Sequence, residues 1–538
     1  MVRSRLLLLL GGVFLAGGGT LAAAPDKDVT ALAAAVDRHL SAGWQANKVQ
    51  PAPPASDAEF VRRVYLDLAG RIPAVAEVRA FLDDKRPDKR QRLIEQLLEG
   101  PRYVTHFTNV WRALLLPESG NNLQASFLAP GFEQWLRAKL QQNTPYDAMV
   151  RELLTVPMQG RGRNPFGQPN GAPSPIAFYL AKEVKPENLA AAASRLFLGV
   201  KIECAQCHNH PFAEWKREQF WSFAAFFAGL SRQGNGDFVA AGREMADRRE
   251  LTIPGTERVA QAAFLDGTEP KWKYNTSARA TLAEWMTARD NPYFARAAVN
   301  RLWGKFFGTG IIDPVDEMVG GEHQASPPEL LDELARQCAA HHFDLKFRIR
   351  AITASRAYQL SSLATHRSQD DLHQFARMPL RGLSAEQLFD SIAQATGYRD
   401  ASNGNPRFFG NPGVRGRFLT QFANASDKAT EVQTSILQAL SLMNGQVTAA
   451  ATDLERSETL AALLDAPFMD TAERIETLYL AALSRQPTPR ELARTLKYVE
   501  SGGSAEDPSL ADKEKNDNRA LADVFWVLLN SSEFFLNH

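Results

Sequence analysis

Apolar residues recur at helical spacing along most of the chain, and this periodicity predicts a mainly α protein. The clearest case follows Ser56, where Phe60, Val64 and Leu68 fall on one helical face. Ser56 and Glu59 form a capping-box pattern, which is typical of a helix start. Similar patterns predict helices at 29–46, 74–82, 87–98, 104–116, 127–142, 146–155 and 176–198.

The pattern changes between residues 234 and 272. Short apolar runs at 250–253 and 258–265 flank Pro254 and Gly255, which predicts short strands in a small β insertion or at a domain boundary. Helical spacing returns near Ala278. We therefore predict two helical lobes with a β-containing segment between them. The predicted bounds are 29–230 for the first lobe, 231–277 for the segment and 278–538 for the second lobe.

Residues 1–24 have the layout of a secretory signal peptide. Arg3 and Arg5 precede an apolar run at 6–15, and small residues follow up to Ala24. The apolar run is shorter than the ~20 residues that a membrane-spanning helix needs, although an uncleaved N-terminal anchor is the alternative. We predict that the chain is exported to the periplasm or cell surface and has no membrane span once the signal is removed.

The charge balance argues against one class of partner. Lysine and arginine together number 61, and so do aspartate and glutamate, which gives a net charge of zero. Because nucleic-acid-binding proteins normally carry a basic excess, the composition predicts no nucleic-acid partner.

The most reactive residues lie together in the sequence Cys204-Ala-Gln-Cys207-His208. Two cysteines three residues apart, followed directly by a histidine, form the attachment pattern of haem c. Both thiols can add to the vinyl groups of one macrocycle, and the imidazole can become an axial ligand of its iron. Haem c is attached after export, which agrees with the predicted signal peptide. This hypothesis implies an electron carrier with a redox partner protein.

The same residues also allow alternatives without haem. Cys204 and Cys207 could form a disulfide or a thiol-exchange pair in an oxidising compartment. With His208 and His210 they supply two thiolates and two imidazoles, a possible zinc set, although the adjacent positions crowd one metal ion. The protein would then be a structural or binding module acting at the cell surface or on polysaccharide. The remaining cysteine, Cys338, lies in a helical pattern and is predicted to be a buried apolar residue.

Aromatic residues and methionines near the motif bear on the haem hypothesis. An aromatic cluster follows the motif and could wall a macrocycle, although aromatic residues at helical spacing are more often core. Its members are Phe212, Trp215, Phe220, Trp221, Phe223 and Phe226. Met158, Met245 and Met318 are candidates for a sixth iron ligand, and a five-coordinate iron is the other option.

An acidic stretch in the second half supports a weaker hypothesis. It contains Asp313, Asp316, Glu317, Glu322 and His323, which could hold calcium or act as an acid–base pair in an enzyme. The spacing does not match an EF-hand loop, so a solvated loop is the simpler interpretation. The sequence contains no P-loop, zinc-protease or nucleophile-elbow motif.

Two groups of segments resemble a large secreted family that is abundant in planctomycetes. Residues 60–73, together with 203–212 and Trp215, resemble its cytochrome-like domain of unknown function, number 1549. The second half resembles the usual neighbour of that domain, domain of unknown function 1553. The matching segments are 282–285, 295–303, 307–310, 328–332, 438–444 and 526–534.

The resemblance covers most of the chain after the predicted signal peptide. It implies a cytochrome-like protein, and many family members carry an additional N-terminal cytochrome-c-like domain with its own Cys-x-x-Cys-His. This chain has a single such motif, at residues 204–208.

Overall fold

The computed structural model describes residues 27–120, 122–158, 173–211, 213–233, 240–242, 244–319, 328–398, 413–422, 445, 452–454, 456–503 and 513–538. The predicted signal peptide lies outside these residues, as do Phe212, Glu322 and His323. The described chain is mainly helical with small two-stranded sheets, which confirms the predicted fold class.

Helices form most of the chain up to the hairpin. Their bounds are α1 Lys27–Ala46, α2 Asp57–Ala69, α3 Val75–Asp83, α4 Lys89–Glu99, α5 Pro101–Leu115, α6 Leu123–Gln141, α7 Tyr146–Leu154, α8 Ala177–Ala181, α9 Pro186–Ala193 and α10 Arg217–Ala224. Pro101 and Pro186 stand at the first position of their helices, where a missing N–H removes no helical hydrogen bond.

Two short antiparallel pairs follow α10. Strand β1 (Arg232–Gln233) pairs with β2 (Ala240–Ala241), and β3 (Glu250–Thr252) pairs with β4 (Val259–Gln261). The turn between β3 and β4 contains Gly255, whose φ of 73° favours a residue without a Cβ. The β3–β4 pair confirms the short strands predicted from the two apolar runs around Pro254 and Gly255.

Helices resume after the hairpin. Their bounds are α11 Ala278–Met286, α12 Phe294–Phe307, α13 Pro328–Ala340, α14 Leu345–Ala354, α15 Ala385–Thr396, α16 Gly413–Gln421, α17 Glu458–Leu464, α18 Thr471–Leu483, α19 Pro489–Glu500, α20 Lys513–Leu529 and α21 Ser532–Phe535. A third antiparallel pair joins β5 (Arg381–Gly382) to β6 (Leu536–Asn537). None of the described helices combines the length and apolar character needed to cross a bilayer.

Two buried hydrophobic clusters form the interior. The first contains side chains from Val29 to Met378, on both sides of the hairpin, together with Leu480. The second contains side chains from Leu383 to Phe534, together with Leu66 and Ile72. Helix α2 contributes to both, because Phe60 packs in the first cluster and Leu66 in the second. The hydrophobic interior is therefore continuous across the hairpin and divides near residue 380.

Helix α2 begins as its sequence predicts, since the Ser56 hydroxyl accepts a hydrogen bond from the Glu59 N–H at 3.2 Å. The Glu59 carboxylate, however, accepts hydrogen bonds from Arg63, from the Ser361 hydroxyl and from the Ser362 N–H. The helix start is thus tied to a distant part of the chain.

Two arginines of α2 are fully buried, with 0% exposure. Arg62 donates to the backbone carbonyls of Ala482 and Phe534 at 3.0 and 2.9 Å. Arg63 donates to the carbonyls of Tyr358 and Leu360 at 2.6 and 2.9 Å. Because each guanidinium satisfies backbone carbonyls from remote parts of the sequence, these contacts hold distant segments against α2.

Asp67, one turn further along α2, is also buried, with 1% exposure. Its carboxylate accepts two hydrogen bonds of 2.9 Å from the Arg381 guanidinium. It also accepts from the Tyr358 hydroxyl at 2.8 Å and from the Asn537 amide at 2.9 Å. This set of partners compensates the desolvated charge of Asp67 and fixes β5 and β6 beside α2.

Candidate functional site

The chain is closely packed in the segment directly before the cysteine motif. Helix α9 continues into a π-helical turn at Ser194–Leu198, which ends at Gly199 with a φ of 65°. The positive φ of Gly199 favours glycine, and an added Cβ would lie 2.6 Å from the sulfur of Met318, so the Met318 side chain would have to move. Val200 then forms an isolated antiparallel bridge with Glu317.

The motif itself starts in a single 3-10 turn at Glu203–Gln206. The Ala205 side chain is fully buried and anchors the turn. The backbone N–H of Ala205 donates to the Ile202 carbonyl at 2.9 Å. Residues three apart in a 3-10 turn lie on the same side, so this conformation favours one side for Cys204 and Cys207. Both cysteines are exposed free thiols.

The hydrogen bonds of the two histidines in the motif favour different neutral tautomers. His208 is exposed, and its Nδ1 lies 2.7 Å from the Asn209 carbonyl oxygen, which can only accept a hydrogen bond. A neutral His208 therefore carries its proton on Nδ1 and keeps a lone pair on Nε2. His210 differs, because its Nδ1 accepts the Ala213 N–H at 3.0 Å, and a neutral His210 therefore carries its proton on Nε2.

Helix α10 and the hairpin hold the backbone of the motif. Both the Arg217 guanidinium and the Trp221 indole donate to the Gln206 carbonyl, at 3.3 and 3.0 Å. Arg217 also donates from its backbone N–H to the Asn209 side chain at 3.0 Å, and from its guanidinium to the Pro254 carbonyl at 2.6 Å. The reactive side chains thus project from a backbone that several elements support.

The aromatic residues after the motif lie in the protein interior. Trp215, Phe220, Trp221, Phe223 and Phe226 are all at most 8% exposed. Phe226 stacks on Phe264 with a ring separation of 5.1 Å. These side chains are packed as core, which is the simpler of the two interpretations of the pattern.

The acidic stretch is divided in the structure. Asp316 and Glu317 lie beside the cysteine motif, where Asp316 pairs with Arg195 and Glu317 with Lys201. Asp313 is instead buried near His373, with 3.7 Å between the carboxylate and the imidazole. Across the residues that the structure describes, no three His, Cys, Asp or Glu side chains are grouped to hold a metal ion.

Two charged residues beside the motif, Glu203 and Arg195, are not among the site residues that the sequence predicts. Glu203, directly before Cys204, lies 3.6 Å from the Arg195 guanidinium. Burial raises the pKa of the Glu203 carboxyl above its usual value, although Arg195 and Lys201 oppose that effect. The position of Glu203 at the start of the motif is the one sequence signal that could have marked it.

The three candidate methionine ligands lie in different surroundings. Met158 is buried in the first hydrophobic cluster, and Met245 is 46% exposed. Met318 lies against the entry to the motif, because its N–H donates to the Gly199 carbonyl at 2.9 Å and its sulfur faces Gly199. Of these three residues, Met318 is the one that the described contacts place next to the motif.

Comparison with known families identifies two domains. The model of the PSCyt2 family, a protein of unknown function (DUF1549), matches residues 35–232, which include the cysteine motif. The model of the PSD1 family, a protein of unknown function (DUF1553), matches residues 278–415, which include Asp316 and Arg301. No curated protein and no solved structure matches the chain. The resemblance found in the sequence is thus confirmed, and the chain contains a PSCyt2 domain at residues 35–232 followed by a PSD1 domain at residues 278–415.

Proposed function

We propose that this protein is an exported electron carrier of the c-type cytochrome kind. One haem c would be attached through Cys204 and Cys207, with His208 as an axial iron ligand. The observation that carries this proposal is the hydrogen bond from His208 Nδ1 to the Asn209 carbonyl, beside two exposed free thiols. It leaves the His208 Nε2 lone pair available to a metal.

The side chains present fit the attachment chemistry. Each thiol would add across one vinyl group, with the sulfur bonding to one carbon and the thiol proton going to the other. When bound, haem supplies a one-electron redox centre. His208 would orient the group through Nε2, while its Nδ1–H···O=C hydrogen bond fixes the imidazole ring. The cytochrome-like name of the PSCyt2 family agrees with this role.

The packing of the aromatic residues indicates where such a group would lie. Because Trp215, Phe220 and Phe226 are already buried, an attached macrocycle would lie at the protein surface beside the 3-10 turn. An exposed haem edge suits electron exchange with a redox partner protein. The signal-like residues 1–24 support export to the periplasm or cell surface, where haem c is attached.

The zinc alternative is less well supported by the arrangement of His210. Binding zinc through its Nε2 would require that nitrogen to lose its proton, and Nδ1 would then have to release the Ala213 N–H or become deprotonated as well. We therefore expect His210→Ala to leave the proposed haem attachment intact.

The test is to express the full chain in bacteria with a haem-maturation system. The visible spectrum and the intact mass under denaturing conditions are then measured. We expect a Soret band and the added mass of one haem, both lost or strongly reduced in Cys204→Ser and Cys207→Ser. Cys338→Ala is the matched control, since this cysteine is buried in α13 and should leave both signals unchanged.

A colourless chain of plain polypeptide mass, made in cells that mature a control cytochrome, would refute the proposal. Metal analysis and thiol titration of that sample would then separate a zinc clip from a disulfide. A zinc clip predicts bound metal that is lost in His210→Ala, whereas a disulfide predicts two titratable thiols only after reduction.

A further inference from the structure

A row of alternating charges connects the cysteine turn to the PSD1 domain. Arg301 in α12 donates to the Asp316 carboxylate, and Asp316 lies 3.6 Å from the Arg195 guanidinium. Arg195 in turn lies 3.6 Å from the carboxylate of Glu203, the residue directly before Cys204. The first two residues belong to the PSD1 match and the last two to the PSCyt2 match.

Backbone contacts run parallel to this row. Val200 bridges Glu317, and the Met318 N–H donates to the Gly199 carbonyl. Arg301 also donates to the Arg195 carbonyl at 3.1 Å, so it contacts both the backbone and the ion-pair partner of Arg195. The segment 316–318 therefore lies along the last residues before the motif and constrains how the chain enters it.

The partial burial of these charges strengthens the interactions between them. The side chains of Arg301, Asp316, Arg195 and Glu203 are between 13% and 34% exposed. Water and salt screen partly buried charges less than exposed ones, and charges in a network support one another more than an isolated surface pair does.

We propose that Asp316 is a positioning residue for the cysteine motif, through which the PSD1 domain sets the geometry of the turn that carries Cys204 and Cys207. Asp316 acts through Arg195, which holds Glu203 at the start of the turn. Its effect on haem attachment rests on the proposed function, whereas its effect on the turn does not. In this arrangement the PSD1 domain completes a site whose attachment residues all come from the PSCyt2 domain.

The neighbouring ion pair provides a matched control. Glu317 and Lys201 lie 3.4 Å apart and are 40% and 47% exposed. Glu317→Gln removes one negative charge from the same segment, as Asp316→Asn does, but it acts on an exposed pair that contributes little. The Val200 bridge uses the backbone of residue 317, so the side-chain change leaves it in place.

The experiment measures amide hydrogen exchange by mass spectrometry on the full chain without haem. We expect Asp316→Asn to accelerate exchange at residues 200–208 by about five- to tenfold, and Glu317→Gln by less than about twofold. Equal exchange in the two variants would overturn the proposal.

A second variant separates positioning from general damage, because Asp316→Asn also leaves Arg301 without its carboxylate. Arg195→Met keeps the Arg301–Asp316 pair and removes the connection to Glu203. We expect it to accelerate exchange at 203–208 as Asp316→Asn does, and we expect Asp316→Asn to add less than about twofold in that background. Faster exchange spread over α12 and α13, with no change in Arg195→Met, would show that Asp316 is only structural.

The haem-loaded chain gives a separate readout, the midpoint potential and the attached fraction. We expect Asp316→Asn to shift the potential or reduce attachment relative to Glu317→Gln. If the wild-type chain binds no haem while Asp316→Asn still loosens the turn, the proposed function fails and the positioning role stands. If haem binds and neither exchange nor potential changes, the positioning role fails and the proposed function stands.

Discussion

Helix α2 and the cysteine turn are both parts of the sequence that resemble family motifs, yet the structure uses them in opposite ways. In α2 the charged side chains of Arg62, Arg63 and Asp67 are buried, and their partners come from distant segments. In the turn, the side chains of Cys204 and Cys207 are exposed. A distinctive motif can therefore mark either a structural anchor or an exposed candidate site, and burial with satisfied partners distinguishes the two.

The largest loss of stability is expected when the central carboxylate of α2 is removed. Asp67→Asn leaves the Arg381 guanidinium buried without its counter-charge, so we expect the free energy of unfolding to fall by about 3–5 kcal/mol. Urea unfolding followed by circular dichroism measures it. Asp88→Asn, which breaks the exposed Asp88–Arg92 pair, should cost less than about 1 kcal/mol. Similar losses in the two variants would show that the buried Asp67–Arg381 pair stabilises the fold no more than the exposed pair does.

The passage before the cysteine turn should respond more moderately. Gly199→Ala strains the left-handed backbone and places a Cβ against Met318, so we expect a loss of about 2–3 kcal/mol in unfolding free energy. Gly255→Ala is the matched control, because Gly255 has a similar φ and open space around its Cβ position. It should cost about 1 kcal/mol.

Adding Met318→Ala to Gly199→Ala removes the two shortest contacts that the added Cβ would make, those with the sulfur and Cγ of Met318. The double variant should recover stability towards that of Gly255→Ala. No recovery would assign the whole loss to backbone strain.

A pH dependence of stability is expected from His106, which forms a hydrogen bond with the backbone of Asp67 in α2. His106 in α5 is buried, and burial, aided by nearby Lys305, lowers its pKa well below the usual 6.5. The unfolded chain therefore binds a proton at pH values where the folded chain does not. The contribution of neutral His106 to the free energy of unfolding is complete above about pH 6.5 and is lost as the pH falls below that value.

We expect the wild-type unfolding free energy to decline as pH is lowered from about 7 to 5, and His106→Gln to decline less steeply. Urea titrations at a series of pH values measure both slopes. Equal slopes would assign the decline to other groups.

The smallest effect on stability should come from the cysteine turn itself. In the chain without haem, Cys204→Ser should change the unfolding free energy by less than about 0.5 kcal/mol, because the side chain is exposed. Cys338→Ser places a hydroxyl in a fully buried position and should cost about 1–3 kcal/mol. A large loss in Cys204→Ser would indicate that the turn also has a structural role.

Local sequence patterns predict the elements whose formation depends on neighbouring residues in the chain. Helical spacing and the Ser56 cap predict α2, and two apolar runs around Pro254 and Gly255 predict the short strands β3 and β4. The Cys-x-x-Cys-His spacing likewise identifies the candidate site from the sequence alone. In each case the signal lies within a few residues of the feature that it describes.

Contacts between distant segments cannot be predicted in this way. Nothing in the spacing of α2 marks Arg62 and Arg63 as buried, because charged side chains are normally exposed. Nor does the sequence show that Asp316 meets Arg195, since that contact depends on how α12 and the turn at Ser194–Leu198 pack together. The acidic stretch therefore reads as one unit in the sequence, whereas the structure places Asp313 and Asp316 in different environments.

The burial of the α2 arginines has a consequence for the PSCyt2 segment taken alone. A gene fragment encoding only residues 35–232 would leave Arg62 and Arg63 without the carbonyls of residues 482, 534, 358 and 360. Joining the PSCyt2 segment to an unrelated domain would expose these two normally buried guanidinium groups and the apolar surface around them. The PSCyt2 segment therefore depends for the burial of these cations on carbonyls within the PSD1 match, at residues 358 and 360, and on carbonyls beyond it, at residues 482 and 534.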